Sequence, residues 1–361
     1  MTGQRVDGVD TLLLRADADS RIGAGHFMRS LALAEAWRAQ GGAVSFVSRC
    51  ENSGLRRRLE TSGIGLLPIE RSHPDPDDLR RTRTAVCQQG ADWLVVDGYN
   101  FDPTYHEGVR EGDHRLLLID DCADLAEYRA DIILNQNIGA ERLEYRCDPD
   151  TALLLGNQYA LLRPEFTRWR EWTRQVPPQA ANILVTMGGS DPDNASATVV
   201  AALATIAAPR LSVKVVVGAL NPHGEDIRRR AAACTGHQVE VVSAVEDMAE
   251  LMAWTDMAVS AAGSTCWELA FMGLPSLLLV LGPDQRAIAE GMQRASAAVH
   301  VEEASGEIAA GLKALVEDQA ARVQMSERCR RFVDGHGAAR VVAAMHGGDS
   351  EQLFEGRDHG G

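Results

Sequence analysis

The residue best suited to acid–base chemistry in this sequence is His26, at the end of Gly23-Ala24-Gly25-His26 and one helical turn before Arg29. A short apolar run leading to Arg15-Ala16-Asp17 precedes it, and an amphipathic stretch from His26 to Gln40 follows. Two glycines allow a tight turn, so the segment predicts a strand, a turn and a helix opening at or near His26. Backbone N–H groups at such a helix start suit a phosphate or sugar oxyanion, and an imidazole can give or take a proton near neutrality. The same residues also read as a glycine turn with a capping histidine. The dinucleotide fingerprint is incomplete, because Met28 stands where its third glycine belongs. Asp17 and Asp97, at the ends of apolar runs, are candidates to orient His26 or to hold polar groups of a ligand; strand-end acids also cap helices.

Two later segments suit an anionic ligand. Thr186-Met187-Gly188-Gly189-Ser190-Asp191 puts adjacent glycines at a strand end, with Pro192 expected to open the next helix, which together would cradle a diphosphate. In Ser260-Ala261-Ala262-Gly263-Ser264-Thr265-Cys266-Trp267-Glu268, small residues leave a strand and open a helix. Free N–H groups and the hydroxyls of Ser264 and Thr265 would lie at its positive end. Glu268, about one turn in, suits a ribose diol; it also reads as a first-turn acid complementing the helix dipole. Downstream, Gly282-Pro283-Asp284-Gln285 ends another strand, and Gln285 is a candidate for the same ligand.

These loops need a scaffold, and the periodicity supplies one. Apolar runs at 11–14, 44–47, 65–69, 93–96, 115–119 and 132–134 alternate with helical stretches at 53–62 and 77–89. After a break carrying Pro164, Trp169, Trp172 and Pro177-Pro178, the alternation restarts with strands at 183–187, 213–217, 239–242, 257–260 and 276–281. Helices are expected between them, from near Pro192, Pro222, Glu246, Ser264 and Asp284. Uniformly apolar runs separated by helices imply parallel sheets covered on both faces, and two such sets imply two doubly wound domains with a ligand in the cleft they face. The expected division is 1–165, a linker at 166–181, a second domain at 182–346 and a loose tail at 347–361. Trp169 and Trp172 are read as packing of the linker helix.

Composition narrows the partners. A net charge of −15 and a pI near 5.1 argue against broad binding to nucleic acid or to an anionic membrane. The polar N-terminus lacks a signal-peptide pattern, and the longest apolar run, Pro275 to Gly282, is far short of the roughly 20 residues a membrane helix needs. Seven scattered cysteines without a C-x-x-C pair fit reduced thiols in a cytoplasmic protein. A D-x-D pattern occurs at Asp17/Asp19, Asp75/Asp77, Asp148/Asp150 and Asp191/Asp193. Its recurrence in an acidic chain makes it unspecific, and the three D-P-D cases read as turns or helix starts. Asp120-Asp121 offers oxygens to a hard cation.

Taken together and in order, several segments resemble a GT-B glycosyltransferase-type chain. Within that superfamily the chain resembles the UDP-2,4-diacetamido-2,4,6-trideoxy-β-L-altropyranose hydrolases of pseudaminic acid biosynthesis and the related spore-coat polysaccharide proteins. The segments are Arg15–Asp17 with Gly23–His26 and Arg29, Val96-Asp97-Gly98-Tyr99, Ile119-Asp120-Asp121, Asp131–Asn137, Tyr159–Phe166, Met187–Asp191 and Ser260–Ala270. The resemblance implies two Rossmann-like domains and metal-independent, cofactor-free hydrolysis of a UDP-sugar by water with inversion at C1. It places His26 as general base, with Gly25, Arg29 and Tyr99 among the substrate-binding residues. Gly189, Ser190, Gly263 and Ser264 would hold the diphosphate, with Glu268 on the ribose and with Thr265 and Gln285 as further contacts to the same ligand. Trp267 stands where some relatives carry an asparagine near the sugar. The expected partners are the UDP-sugar and water, in a monomer or weak dimer. A glycosyltransferase using the same donor, or a non-catalytic sugar-nucleotide binder, are the alternatives.

Overall fold

The structure, a computed structural model, describes residues 9–19, 23–206, 209–218, 221–243, 245, 247–302 and 305–348. Most of the expected tail, the N-terminal residues 1–8 and the expected helix start at Glu246 lie outside the described residues. The chain forms two compact units.

The first unit contains strands β1 (Thr11–Ala16), β2 (Ala43–Ser48), β3 (Gly65–Pro68), β4 (Trp93–Asp97), β5 (Arg115–Ile119), β6 (Ile132–Asn135) and β7 (Ala152–Leu155). Helices α1 (Gly25–Ala39), α2 (Ser53–Thr61), α3 (Pro76–Gln89) and α4 (Pro103–Val109) connect the first five strands. All strand pairs are parallel, in the order β3-β2-β1-β4-β5-β6-β7. Leu12, Leu13 and Leu14 are all fully buried, as are Leu94 and Val95, which is how a strand covered on both faces must read. Helix α1 departs from the expected amphipathic pattern: Arg29 through Ala34 are buried without interruption. It packs as an inner helix, with Phe27 stacked on Phe46 at 4.7 Å.

The second unit contains β8 (Asn182–Thr186), α5 (Ala195–Ala204), β9 (Ser212–Val217), α6 (Gly224–Ala233), β10 (Gln238–Ser243), α7 (Met248–Trp254), β11 (Met257–Ala261), α8 (Thr265–Phe271), β12 (Ser276–Leu279), α9 (Arg286–Arg294), β13 (Val299–Val301), α10 (Ser305–Glu317) and α11 (Gln319–Phe332). Its strand order is β10-β9-β8-β11-β12-β13, again parallel.

Two boundaries differ from expectation. Residues 166–181 are not a free linker but pack on the second unit. Buried Arg174 donates to the carbonyls of Met272, Met252 and Thr255, and Arg322 donates to Pro177 O at 2.6 Å. Trp169 and Trp172 meet edge to face at 5.3 Å, as packing residues. At the other end, α12 (Gly337–Met345) belongs with the first unit instead of closing the second. A side chain at Gly337 would stand 2.3 Å from Ala160 O, so only glycine permits that approach. Arg340 donates to Gln158 O at 2.9 Å, and His346 stacks on Trp37 at 4.7 Å.

In each sheet the order reverses direction once, between β1 and β4 and between β8 and β11. Loops leaving neighbouring strands there diverge and open a crevice at the strand C-termini. The paired ends Ala16↔Asp97 and Thr186↔Ser260 put the four chemistry-bearing loops at these two points.

Candidate active site

Helix α1 begins at Gly25 and places His26 in its first turn, with Arg29 one turn on. Asp97, the last residue of β4, is fully buried and receives His26 Nδ1 at 2.7 Å on Oδ1. Arg29 donates through Nε to Asp97 Oδ2 at 2.8 Å and through Nη2 to Oδ1 at 2.7 Å, and Ser30 Oγ donates to Oδ2 at 3.0 Å. Arg29 Nη2 also lies 3.1 Å from His26 Nδ1. Both contacts cannot be hydrogen bonds to the ring nitrogen. The shorter one, to a carboxylate, requires Nδ1 to carry the proton, so Arg29 and His26 share Asp97 as acceptor and the ring's lone pair sits on Nε2. Burial alone would raise the Asp97 carboxyl, but Arg29 and His26 outweigh it and hold the group below the usual carboxylate range.

Asp121, on the loop after β5, completes the arrangement. Its Oδ1 accepts from Arg29 Nη1 at 2.8 Å and Asn137 Nδ2 at 2.8 Å, and its Oδ2 from Arg29 Nη2 at 2.9 Å and Tyr99 OH at 2.9 Å. Despite burial, which would raise it, Arg29 holds this carboxyl far below the usual range. Tyr99 stands edge-on to His26 with ring centroids 4.6 Å apart, yet is 60% exposed. Its hydroxyl is tethered to Asp121 while much of the side chain stays open to solvent.

The structure brings His26, Arg29, Asp97 and Tyr99 together, with Gly25 at the helix start. It does not bring Asp17 to His26. Asp17 is buried and paired with Arg15 at 2.5 and 2.8 Å and accepts from Arg49 N at 2.8 Å. Arg15 in turn is fully buried against Asp78, so the Asp17 carboxylate completes an internal ion cluster at the end of β1. Nor are Asp120 and Asp121 open to a cation. Asp120 accepts from Tyr145 OH at 2.7 Å, Tyr128 OH at 3.0 Å and the backbone N–H groups of Cys122 and Ala123. Gln136 joins two of the resembling segments, its Oε1 accepting from Leu161 N at 2.8 Å.

In the second unit, Gly188 adopts φ +78°, a conformation that favours glycine, and no atom lies within 4 Å of where its side chain would be. Gly189 and Ser190 follow, partly exposed. The expected helix at Pro192 starts later, at Ala195, because Asp191 caps it. Its carboxylate accepts from Ala195 N at 2.8 Å and Ser196 N at 3.1 Å, so 192–194 remain a turn. After β11, Gly263, Ser264 and Thr265 are partly exposed, and a side chain at Gly263 would stand 3.9 Å from Gln285 Nε2. Gln285 Oε1 accepts from Leu281 N at 3.1 Å, which fixes its amide. Glu268 is buried in the first turn of α8. Trp267 is fully buried, its indole Nε1 without a hydrogen-bond acceptor, so it packs as a core residue.

Sequence reasoning missed Asn137 as a partner of Asp121 and Gly218 as a partner of the glycine turn. A side chain at Gly218 would stand 2.3 Å from Gly189 O. Asn137 lies in one of the segments that carry the family resemblance, but spacing alone does not reveal its partner; Gly218, ending an apolar strand, gives no signal of what approaches it.

Residues 182–338 match the Glycosyltransferase family 28 C-terminal domain. The uncharacterized protein MJ1062 of Methanocaldococcus jannaschii is 23% identical over 75% of this chain, which spans 55% of that protein. The spore coat polysaccharide biosynthesis protein SpsG of Bacillus subtilis is 29% identical over 65% of this chain and 70% of its own. Among solved structures, MurG of Acinetobacter baumannii superposes with a TM-score of 0.65 at 17% identity, covering 93% of this chain and 99% of MurG. The S. aureus MnaA–UDP co-structure gives 0.67 at 14% identity, over 93% and 96%. The chain has a GT-B fold. Its two doubly wound, Rossmann-like halves are those expected from the sequence, and the half carrying the glycine turns is the one matched by the glycosyltransferase domain.

Proposed function

We propose that the protein hydrolyses a UDP-activated diacetamido-trideoxy sugar, releasing UDP and the free sugar with inversion at C1. The observation that carries this reading is the His26–Asp97 pair. An imidazole whose Nδ1–H is fixed by a buried carboxylate presents a basic Nε2 and can accept a proton from water. Water then bonds to C1 as its proton passes to Nε2. The C1–O bond breaks, and its electron pair leaves with the diphosphate. Gly189, Ser190, Gly263, Ser264 and Thr265 stabilise that charge through backbone N–H groups and hydroxyls, as an oxyanion site does without a metal. Glu268 receives the ribose, Gln285 adds an amide contact, and Tyr99, Arg29 and Gly25 border the sugar. The likeness to SpsG, named for polysaccharide biosynthesis, and to a structure holding UDP supports the substrate class. The seven cysteines are free thiols, the state a reducing compartment maintains, and on that ground we place the reaction in the cytoplasm; we propose a monomer or weak dimer.

The second reading is a glycosyltransferase with a sugar or lipid hydroxyl in place of water, favoured by the match of 182–338 to a glycosyltransferase domain. Incubation with UDP-2,4-diacetamido-2,4,6-trideoxy-β-L-altropyranose alone separates them. Hydrolysis releases UDP without an acceptor, and His26→Asn lowers that rate by roughly 10²–10⁴-fold while UDP still binds. UDP release that appears only when an acceptor is added overturns the hydrolase reading.

A further inference from the structure

The His26–Asp97 pair contains an electrostatic problem. A carboxylate assists a histidine base because its negative charge stabilises the imidazolium that forms on proton uptake. Here the same carboxylate is also gripped by the Arg29 guanidinium, at 2.7 and 2.8 Å. With Asp97 alone, the cation would cancel the anion, and His26 would face a neutral pair. The groups around the ring show what offsets this. From α1 come Arg29 and Ser30; from the end of β4 come Asp97 and Tyr99; from the loop after β5 comes Asp121. Asp120, the neighbouring acid, is bound instead to Tyr128 and Tyr145. Arg29 Nη2 is 3.1 Å from His26 Nδ1 and 2.9 Å from Asp121 Oδ2, so the second carboxylate is at most about 6 Å from the imidazole, within the range where charges act on one another.

We infer that Asp121 is a positioning residue acting through Arg29: it supplies the second negative charge that keeps the surroundings of His26 net anionic, so that the imidazolium is stabilised. Two carboxylates and one guanidinium leave a net charge of −1. Arg29 thereby becomes a clamp that fixes Asp97 in two-point geometry without cancelling its charge. Asn137 and Tyr99 hold Asp121 in turn, and Asp120 anchors the loop that carries it, accepting from Cys122 N at 3.0 Å and Ala123 N at 2.8 Å.

The inference deepens the reading of His26 as the base, but its test does not depend on turnover. The titration midpoint of the His26 ring is followed by NMR in the full chain, assigned by its absence in His26→Asn. Asp121→Asn keeps the shape and removes the charge, and it lowers the midpoint by about one pH unit. Asp121→Ser does the same with less bulk. Arg29→Gln combined with Asp121→Asn restores a net charge of −1 through Asp97 alone and returns the midpoint toward that of the parent. Tyr99→Phe removes a hydrogen bond to Asp121 but no charge and leaves the midpoint in place. With the UDP-sugar, the acid limb of the Asp121→Asn rate profile moves to lower pH in step, and its plateau falls. An unmoved midpoint in Asp121→Asn, or a double variant that does not recover, overturns the inference. A parent that releases no UDP yet shows these displacements refutes the proposed reaction and leaves the charge balance standing.

Discussion

The loops at the two switch points are built from opposite materials. After β1, β4 and β5 the first unit gathers buried, mutually bonded charges: His26, Arg29, Asp97 and Asp121. After β8 and β11 the second unit offers glycines and small hydroxyl residues with little side-chain machinery, shaped by close backbone approach. Proton transfer needs groups whose ionisation is tuned by neighbours, so a charge cluster suits it. Holding a diphosphate needs several donors at fixed positions with no bulk in the way, so bare backbone suits that. On the proposed function the same topology serves both tasks, and the composition of the loops decides which.

The sharpest way to break the second half of that contrast is Gly218→Ala. The new methyl would meet the backbone of Gly189 at 2.3 Å, and a carbonyl in a tight turn cannot swing aside as a flexible side chain can. Overpacking of this kind destabilises by about 1–3 kcal/mol, and here the displaced atoms are the proposed diphosphate cradle. Thermal unfolding should show the loss, and calorimetry should show UDP binding weakened by about tenfold or more, while the His26 titration stays where it was. Unchanged UDP affinity would mean that the turn after β8 does not hold the nucleotide.

The architecture was legible because buried parallel strands are apolar throughout; eleven of the thirteen strands among the described residues were visible as such runs. The two that were not, β7 and β13, are the last strands of their sheets and only four and three residues long. His26 and Asp97 were legible as a histidine after a glycine turn and an acid at a strand end. Asp17 carries the same strand-end signature, yet it faces Arg15. Sequence spacing cannot tell which strand-end acid turns toward which cation. The return of α12 to the first unit was hidden for a similar reason: its evidence is contact with residues distant in sequence, Gly337 against Ala160 O, Arg340 on Gln158 O and His346 on Trp37. The amphipathic expectation for α1 failed because its polar residues, Arg29 and Ser30, point into the ion cluster, not into water.

The first unit's reliance on buried ionisable groups should also appear as acid sensitivity. His106, on α4, is buried with Nδ1 lacking a partner, and burial pushes its pKa down to about 4. An unfolded chain therefore binds the proton more readily than the folded one between about pH 6.5 and 4, so stability falls as pH drops through that window. At pH 5 the contribution is about 2 kcal/mol relative to neutral pH. His106→Leu should lose correspondingly less stability than the parent between pH 7 and 5, measured by denaturant unfolding at each pH. Parallel curves for the two proteins would show that the residue does not carry this linkage.

The smallest effect concerns Asp191, an acid beside a turn proposed to bind an anion. Its charge looks misplaced until its bonds are counted: both oxygens are taken by N–H groups at the start of α5, and Asn221 Nδ2 lies 3.4 Å from one of them. The residue sits at φ +43°, a conformation tolerated better by aspartate and asparagine than by alanine. Asp191→Ala should therefore destabilise by about 1–2 kcal/mol through loss of the cap and backbone strain. Asp191→Asn, which keeps one acceptor and the backbone preference, should lose about half of that or less. UDP affinity decides what the charge itself does. If the helix start absorbs it, removing the charge leaves binding within about twofold, because the repulsion was already offset by the N–H groups facing it. A clear gain in UDP affinity on Asp191→Asn would show the opposite: the second unit's loop would then bind the nucleotide against a charge, and its contrast with the first unit would be less complete than the bonding pattern implies.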